Sequence, residues 1–193
     1  MNTSQAALIL SSLTLLSSHA LAASSTSCPE AFNQPYQKLH SSKTVNLCEL
    51  TAGKVALVVN TASHCGYTKQ FSGLEKLHQQ FKDQGLVVIG VPSNDFRQEA
   101  SDEAKTAKVC YQNYGVSFTM LAPQKVKGSS ASELFKYLAE EHSTPRWNFN
   151  KYLLDQGGKV KQYYGSSTAP GSKKLGKALA ELLESRTPSN KLP

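Results

Sequence analysis

The sequence has no Cys-x-x-Cys pair. Its four cysteines, Cys28, Cys48, Cys65 and Cys110, are widely spaced, and its five histidines do not recur around them at ligand intervals. Zinc-site patterns and the paired-thiol motif of disulfide-exchange proteins are therefore missing, and neither a metal nor a cofactor is expected. Long hydrophobic runs are missing too. The best candidate, Ala6 to Leu16, is broken by Ser and Thr and is too short to span a bilayer as a helix. No internal repeat is present. Acidic residues are the scarcer charge, 14 against 21 Lys and Arg. The basic residues are scattered and not interleaved with aromatics, so they read as solvated surface and no nucleic-acid partner is expected.

What is present fits one domain of ordinary size, preceded by a removable segment. The apolar run near the start ends at Ala20-Leu21-Ala22, a small-x-small pattern of the kind a signal peptidase cuts after. Residues 1–22 are read as a signal peptide and residues 23–193 as the mature domain. The leader contains no Lys or Arg, so a buried N-terminal helix is the alternative, and a lipid anchor at Cys28 fits the preceding Ser25-Thr26-Ser27 poorly. Export to the periplasm or the outside follows, with no integral membrane segment after cleavage. An even cysteine count in an exported chain suggests disulfides. A Cys28–Cys48 bridge would close a loop of about 20 residues and stabilise the fold by roughly 3 kcal/mol. Two unrelated buried thiols are the alternative.

Lys54 to Asn60 and Leu86 to Pro92 are continuous apolar runs rich in β-branched residues, as fully buried strands are. Between them Phe71, Leu74, Leu77 and Phe81 recur at helical steps, and Gly85 marks the end of that helix. Further helices are expected from Asp102 to Tyr111, Ser130 to Glu141 and Leu175 to Leu183. Phe118 to Ala122 is a short apolar piece. Phe149 to Leu154 and Val160 to Tyr164 read as strands joined by the turn Gln156-Gly157-Gly158-Lys159. Thr187 to Pro193 is expected to fray. This order predicts an α/β fold with a central mixed sheet flanked by helices.

Cys65 follows the first buried strand and precedes a helix, which places its sulfur near unpaired helix N–H groups that favour negative charge. A thiolate is the nucleophilic form of cysteine. Taken alone, the position suits a reactive thiol or a structural one. The surrounding Asn60-Thr61-Ala62-Ser63-His64-Cys65-Gly66-Tyr67-Thr68 resembles the active-residue signature of glutathione peroxidases. Gly73-Leu74-Glu75-x-Leu77 fits as well. Val91-Pro92-Ser93-Asn94-Asp95-Phe96-Arg97-Gln98-Glu99 is similar to that family's second block, and Arg146-Trp147-Asn148-Phe149-Asn150-Lys151-Tyr152-Leu153-Leu154-Asp155 to its third.

The resemblance implies a thioredoxin-like fold and a peroxidase site made of Cys65, Gln98, Trp147 and Asn148. Cys65 matches the attacking residue; Trp147, Asn148 and Gln98 match neutral hydrogen-bond donors. Each of the three alone would read as core, turn or surface. The second block is one residue shorter than the family's, Arg97 stands directly before Gln98, and Ala100 replaces the usual Pro. Asn94 and Asp95 are therefore alternatives for the place of Gln98. Cys110, 45 residues after Cys65, resembles the resolving cysteine of two-cysteine members, and a buried helix cysteine is its other reading. The short span from Phe118 to Trp147 resembles the compact, monomeric branch. The implied partners are a peroxide, inorganic or organic, and a thioredoxin-like dithiol donor or glutathione. A peroxide-sensing relay that passes oxidation to a partner protein is the competing function.

Overall fold

The structure is a computed structural model that describes residues 28–185. The expected signal peptide and the fraying C-terminal segment lie outside these residues. Two buried runs form the centre of the sheet. β3 (Val55–Thr61) and β4 (Leu86–Pro92) pair in parallel, from Val55 opposite Leu86 to Thr61 opposite Pro92. The short edge strand β5 (Thr119–Met120) is parallel to β4, while β6 (Lys151–Leu154) is antiparallel to β3 and β7 (Val160–Tyr164) antiparallel to β6. The order is β5-β4-β3-β6-β7, the mixed sheet expected. Gly90 in β4 admits β5, because a Cβ there would come within 2.3 Å of the Met120 sulfur.

The two-residue period of the strands sorts the core into two layers. Val55, Leu57, Val59, Leu86 and Val88 face one side, against Phe71, Leu74 and Leu77 of α2 (Gln70–Phe81) and Leu175, Leu179 and Leu183 of α5 (Lys173–Glu184). Ala56, Val58, Val87, Ile89 and Val91 face the other side, against Leu134, Phe135 and Leu138 of α4 (Glu133–Glu141). Each fully buried Leu or Phe contributes about 1.5–3 kcal/mol. Cys65 and Cys110 belong to the first layer. Among the described residues no helix is long and apolar enough to cross a membrane.

Three elements near the start have no counterpart in the sequence reading. β1 (Pro35–Gln37) and β2 (Thr44–Asn46) form a small antiparallel hairpin, followed by α1 (Leu47–Thr51). Pieces of three to five residues are too short to display a period. The side chain of Asn46 caps α1 by accepting from the Cys48 and Glu49 amides at 2.8 and 3.3 Å. A disulfide joins Cys28 to Cys48, with α-carbons 5.7 Å apart. It fastens the start of the described chain to α1.

Two boundaries differ in ways that matter for the site. The helix expected over residues 102–111 is α3 (Glu103–Ala107), capped by Asp102, and then widens into a π-helical turn over Lys108–Asn113 that carries Cys110. Periodicity cannot distinguish such a turn from an α-helix. The strand expected from Phe149 begins at Lys151 instead. Phe149 adopts φ +60°, a left-handed conformation that ends the extended run.

Candidate active site

Cys65 sits in the turn between β3 and α2. Thr68 builds that turn: its Oγ1 accepts from the Cys65 amide at 3.0 Å and lies 2.7 Å from the Cys65 carbonyl and 3.0 Å from that of Ala62. The sulfur does not lie directly on the helix terminus expected from the sequence. α2 starts at Gln70, and the intervening residues form successive tight turns. The amide that reaches the sulfur is that of Tyr67, at 3.5 Å. Cys65 itself is 8% exposed, while its neighbours His64 and Gly66 are exposed.

The other resemblance-implied residues arrive from two distant segments. Gln98 is tied to the cysteine turn through its backbone, its carbonyl accepting from the His64 amide at 2.9 Å. Its side-chain oxygen accepts from Asn148 Nδ2 at 3.0 Å. Arg97, directly before Gln98, takes φ +57° in a turn closed by the Arg97 amide donating to the Asn94 carbonyl at 2.9 Å. The two alternatives to Gln98 are committed elsewhere. Asp95 accepts from the Val126 and Lys127 amides and pairs with Lys125 at 3.1 Å, which holds its carboxyl below the ordinary range despite the opposing effect of burial. Asn94 accepts from the Glu99 amide at 3.3 Å.

Asn148 is fully buried, and its Oδ1 has no partner among the described residues. Trp147 is 40% exposed, with its ring 5.3 Å from that of Phe96. The loop that carries both is fixed by a residue whose role the sequence did not reveal, Asn60 at the end of β3. Asn60 Nδ2 donates to the Trp147 carbonyl at 2.9 Å, and Asn60 Oδ1 accepts from the Asn150 amide at 3.0 Å. The Phe149 amide donates to the Asn60 carbonyl at 2.6 Å. A polar residue ending an apolar strand was the available signal. From the far side Ser166 donates to the Asn148 carbonyl at 2.6 Å. Lys151, fully buried in β6, donates from Nζ to the Phe149 carbonyl at 2.7 Å, and burial pushes its pKa down to about 7.

Cys110 is 1% exposed and, like Cys65, a free thiol. Burial, reinforced by the charge of Glu99, pushes its pKa up to about 12. The packed Cys110 is therefore held in its unreactive, protonated form.

Comparison with known proteins bears on the family and the fold. A family model described as glutathione peroxidase matches residues 34–139, so Trp147 and Asn148 lie beyond the matched stretch. The chain is 45% identical over 124 residues to a glutathione peroxidase of Lactococcus lactis, covering 61% of this chain and 79% of that protein. It is 40% identical over 139 residues to the glutathione peroxidase-like peroxiredoxin HYR1 of Saccharomyces cerevisiae, covering 68% and 84%. The crystal structure of Trgpx in apo form superposes with a TM-score of 0.64 at 30% identity, over 82% of this chain and 98% of that one. A thiol-disulfide isomerase of Corynebacterium glutamicum shares the thioredoxin-like fold, with a TM-score of 0.60 at 19% identity over 78% of this chain and 92% of that one.

Proposed function

The chain belongs to the glutathione peroxidase family and is a peroxidase of that type, and on that premise we propose that Cys65 reduces the peroxide and Cys110 resolves the product. The observation that carries the reading is the junction at Gln98. Through its backbone it holds the cysteine turn, and through its side chain it holds Asn148, so that three separate stretches of chain meet at one place.

The Cys65 thiolate attacks one peroxide oxygen. An S–O bond forms, the O–O bond breaks, and the departing hydroxide or alkoxide takes a proton and leaves as water or alcohol. The Tyr67 amide points at the sulfur and favours its negative charge. Gln98, Asn148 and Trp147 supply uncharged N–H donors for the departing oxygen. The resulting sulfenic acid is attacked by Cys110, which is the other free thiol among the described residues. An S–S bond forms, the S–O bond breaks and water leaves. An external dithiol of the thioredoxin kind, or glutathione, reopens the disulfide by exchange. Both hydrogen peroxide and organic hydroperoxides suit the site, and the exposed Trp147 ring, packed beside the half-buried Phe96, offers hydrocarbon a surface. The Cys28–Cys48 bridge supports action in an oxidising compartment, where a membrane-fed dithiol is the suitable electron donor.

Mass spectrometry of the purified protein before and after one equivalent of peroxide tests the cycle. A new Cys65–Cys110 bridge is expected, with Cys28–Cys48 present throughout. Cys65→Ser abolishes peroxide consumption. Cys110→Ser allows one turnover that then stalls with a dithiol donor. Undiminished steady-state turnover in Cys65→Ser would overturn the assignment.

A further inference from the structure

Glu99 is a half-buried carboxylate that the peroxide chemistry does not use. It sits between the two segments that carry the free cysteines. Its Oε1 accepts from Ser63 Oγ, two residues before Cys65, and from Thr106 Oγ1 at 3.0 Å, four residues before Cys110. The Ala100 amide donates to the same oxygen at 2.7 Å, while Oε2 is buried without a partner among the described residues. The far end of the Cys110 segment is fastened as well. Glu75 of α2 accepts from the Ser117 amide at 2.8 Å and from Ser117 Oγ at 2.6 Å. The stretch between Thr106 and Ser117 holds the π-helical turn and Gly115 at φ +62°, a conformation that suits glycine.

We propose that Glu99 is a positioning residue for the resolution step, a latch that keeps the Cys110 segment packed against the Cys65 turn until Cys65 has been oxidised. The inference rests on the two-cysteine reading above. While the latch is closed, Cys110 is buried and the Glu99 charge disfavours its thiolate. When Thr106 lets go, the segment between the two anchors can rearrange without disturbing β4 or α2. Cys110 then attacks the sulfenic sulfur, its thiol proton leaving with the displaced hydroxide as water. No outside oxidant is required.

Thr106→Val in the full chain opens the latch from the Cys110 side and leaves the Ser63–Glu99 contact in place. In reduced protein without peroxide, iodoacetamide labelling of Cys110 is expected to rise about tenfold, the effect of losing one hydrogen bond to a charged group. Cys65–Cys110 bridge formation after one equivalent of peroxide accelerates by a similar factor. Oxidation of Cys65 itself stays within about twofold, since no donor of the peroxide site is touched. Glu99→Gln removes the charge but retains an acceptor oxygen, and shifts the pH profile of Cys110 labelling to lower pH. Unchanged or slower Cys110 labelling in a natively folded Thr106→Val protein overturns the latch. If the unaltered protein consumes peroxide without forming a Cys65–Cys110 bridge, the resolving role fails instead, and the labelling experiment still reports on the latch by itself.

Discussion

Asn60 and Trp147 stand 87 positions apart and are joined by one hydrogen bond, from the Asn60 side-chain amide to the Trp147 carbonyl, at 2.9 Å. The same side chain accepts from the Asn150 amide at 3.0 Å. The indole and the adjoining carboxamide of Asn148 are thus placed by a residue five positions before Cys65 in the chain.

Asn60→Ala should therefore damage the site without touching its donors. Two backbone groups lose their buried partner, which costs about 2 kcal/mol or more of stability. The second-order rate of Cys65 oxidation should fall about tenfold as the Trp147–Asn148 loop loosens. Urea unfolding and single-turnover peroxide kinetics read the two effects separately. Full peroxide reactivity in the variant would show that the loop is held by its other bonds alone.

The Cys28–Cys48 bridge lies in the N-terminal segment and contributes no atom to the peroxide site. Replacing both cysteines with Ala should lower unfolding free energy by roughly 3 kcal/mol, as expected for a loop of this length. Cys65 oxidation in the folded variant should be unchanged. Chemical denaturation, with and without a reductant, checks the first statement and stopped-flow oxidation the second.

Lys151 makes stability depend on pH in a definite direction. Its pKa is pushed from 10.5 down to about 7 by burial. Between those values the unfolded chain binds the proton and the folded one releases it, so the protein gains stability as pH rises through this window. The penalty is complete below about pH 7 and absent above about pH 10.5. Lys151→Met loses the bond to the Phe149 carbonyl at every pH but also loses this slope. The stability difference, variant minus native, should fall with rising pH by roughly 1 kcal/mol per unit inside the window. A flat difference would mean that the buried amine is not titrating there.

Much of the fold is legible in the sequence because β3 and β4 are continuous apolar runs and α2 has a clear apolar stripe. The pattern fails where backbone conformation is decided by distant partners. Phe149 looks like a strand residue, yet it turns left-handed because its amide is claimed by Asn60. Lys151 carries a charge in free solution, yet it is sealed in β6 with its amine on the Phe149 carbonyl, which the strand pattern does not reveal. The candidate site residues were picked out through their motifs, and the structure brings Gln98 and Asn148 into hydrogen-bond contact, with Arg97 beside Gln98 at positive φ. Asn60 and Glu99 were visible only as motif letters. Their work is done by hydrogen bonds across the fold, which no local pattern records.

β3 is the strand at which the sheet changes direction, parallel to β4 on one side and antiparallel to β6 on the other. The thiol comes from the parallel half, which is local in sequence, and the indole and Asn148 from the mouth of the antiparallel half. On the proposed reading, a nascent or partly unfolded chain that has formed only the local half holds the Cys65 thiol without the indole and carboxamide N–H donors beside it. On that reading turnover requires β6 to have joined β3, and peroxide consumption serves as an assay of complete folding.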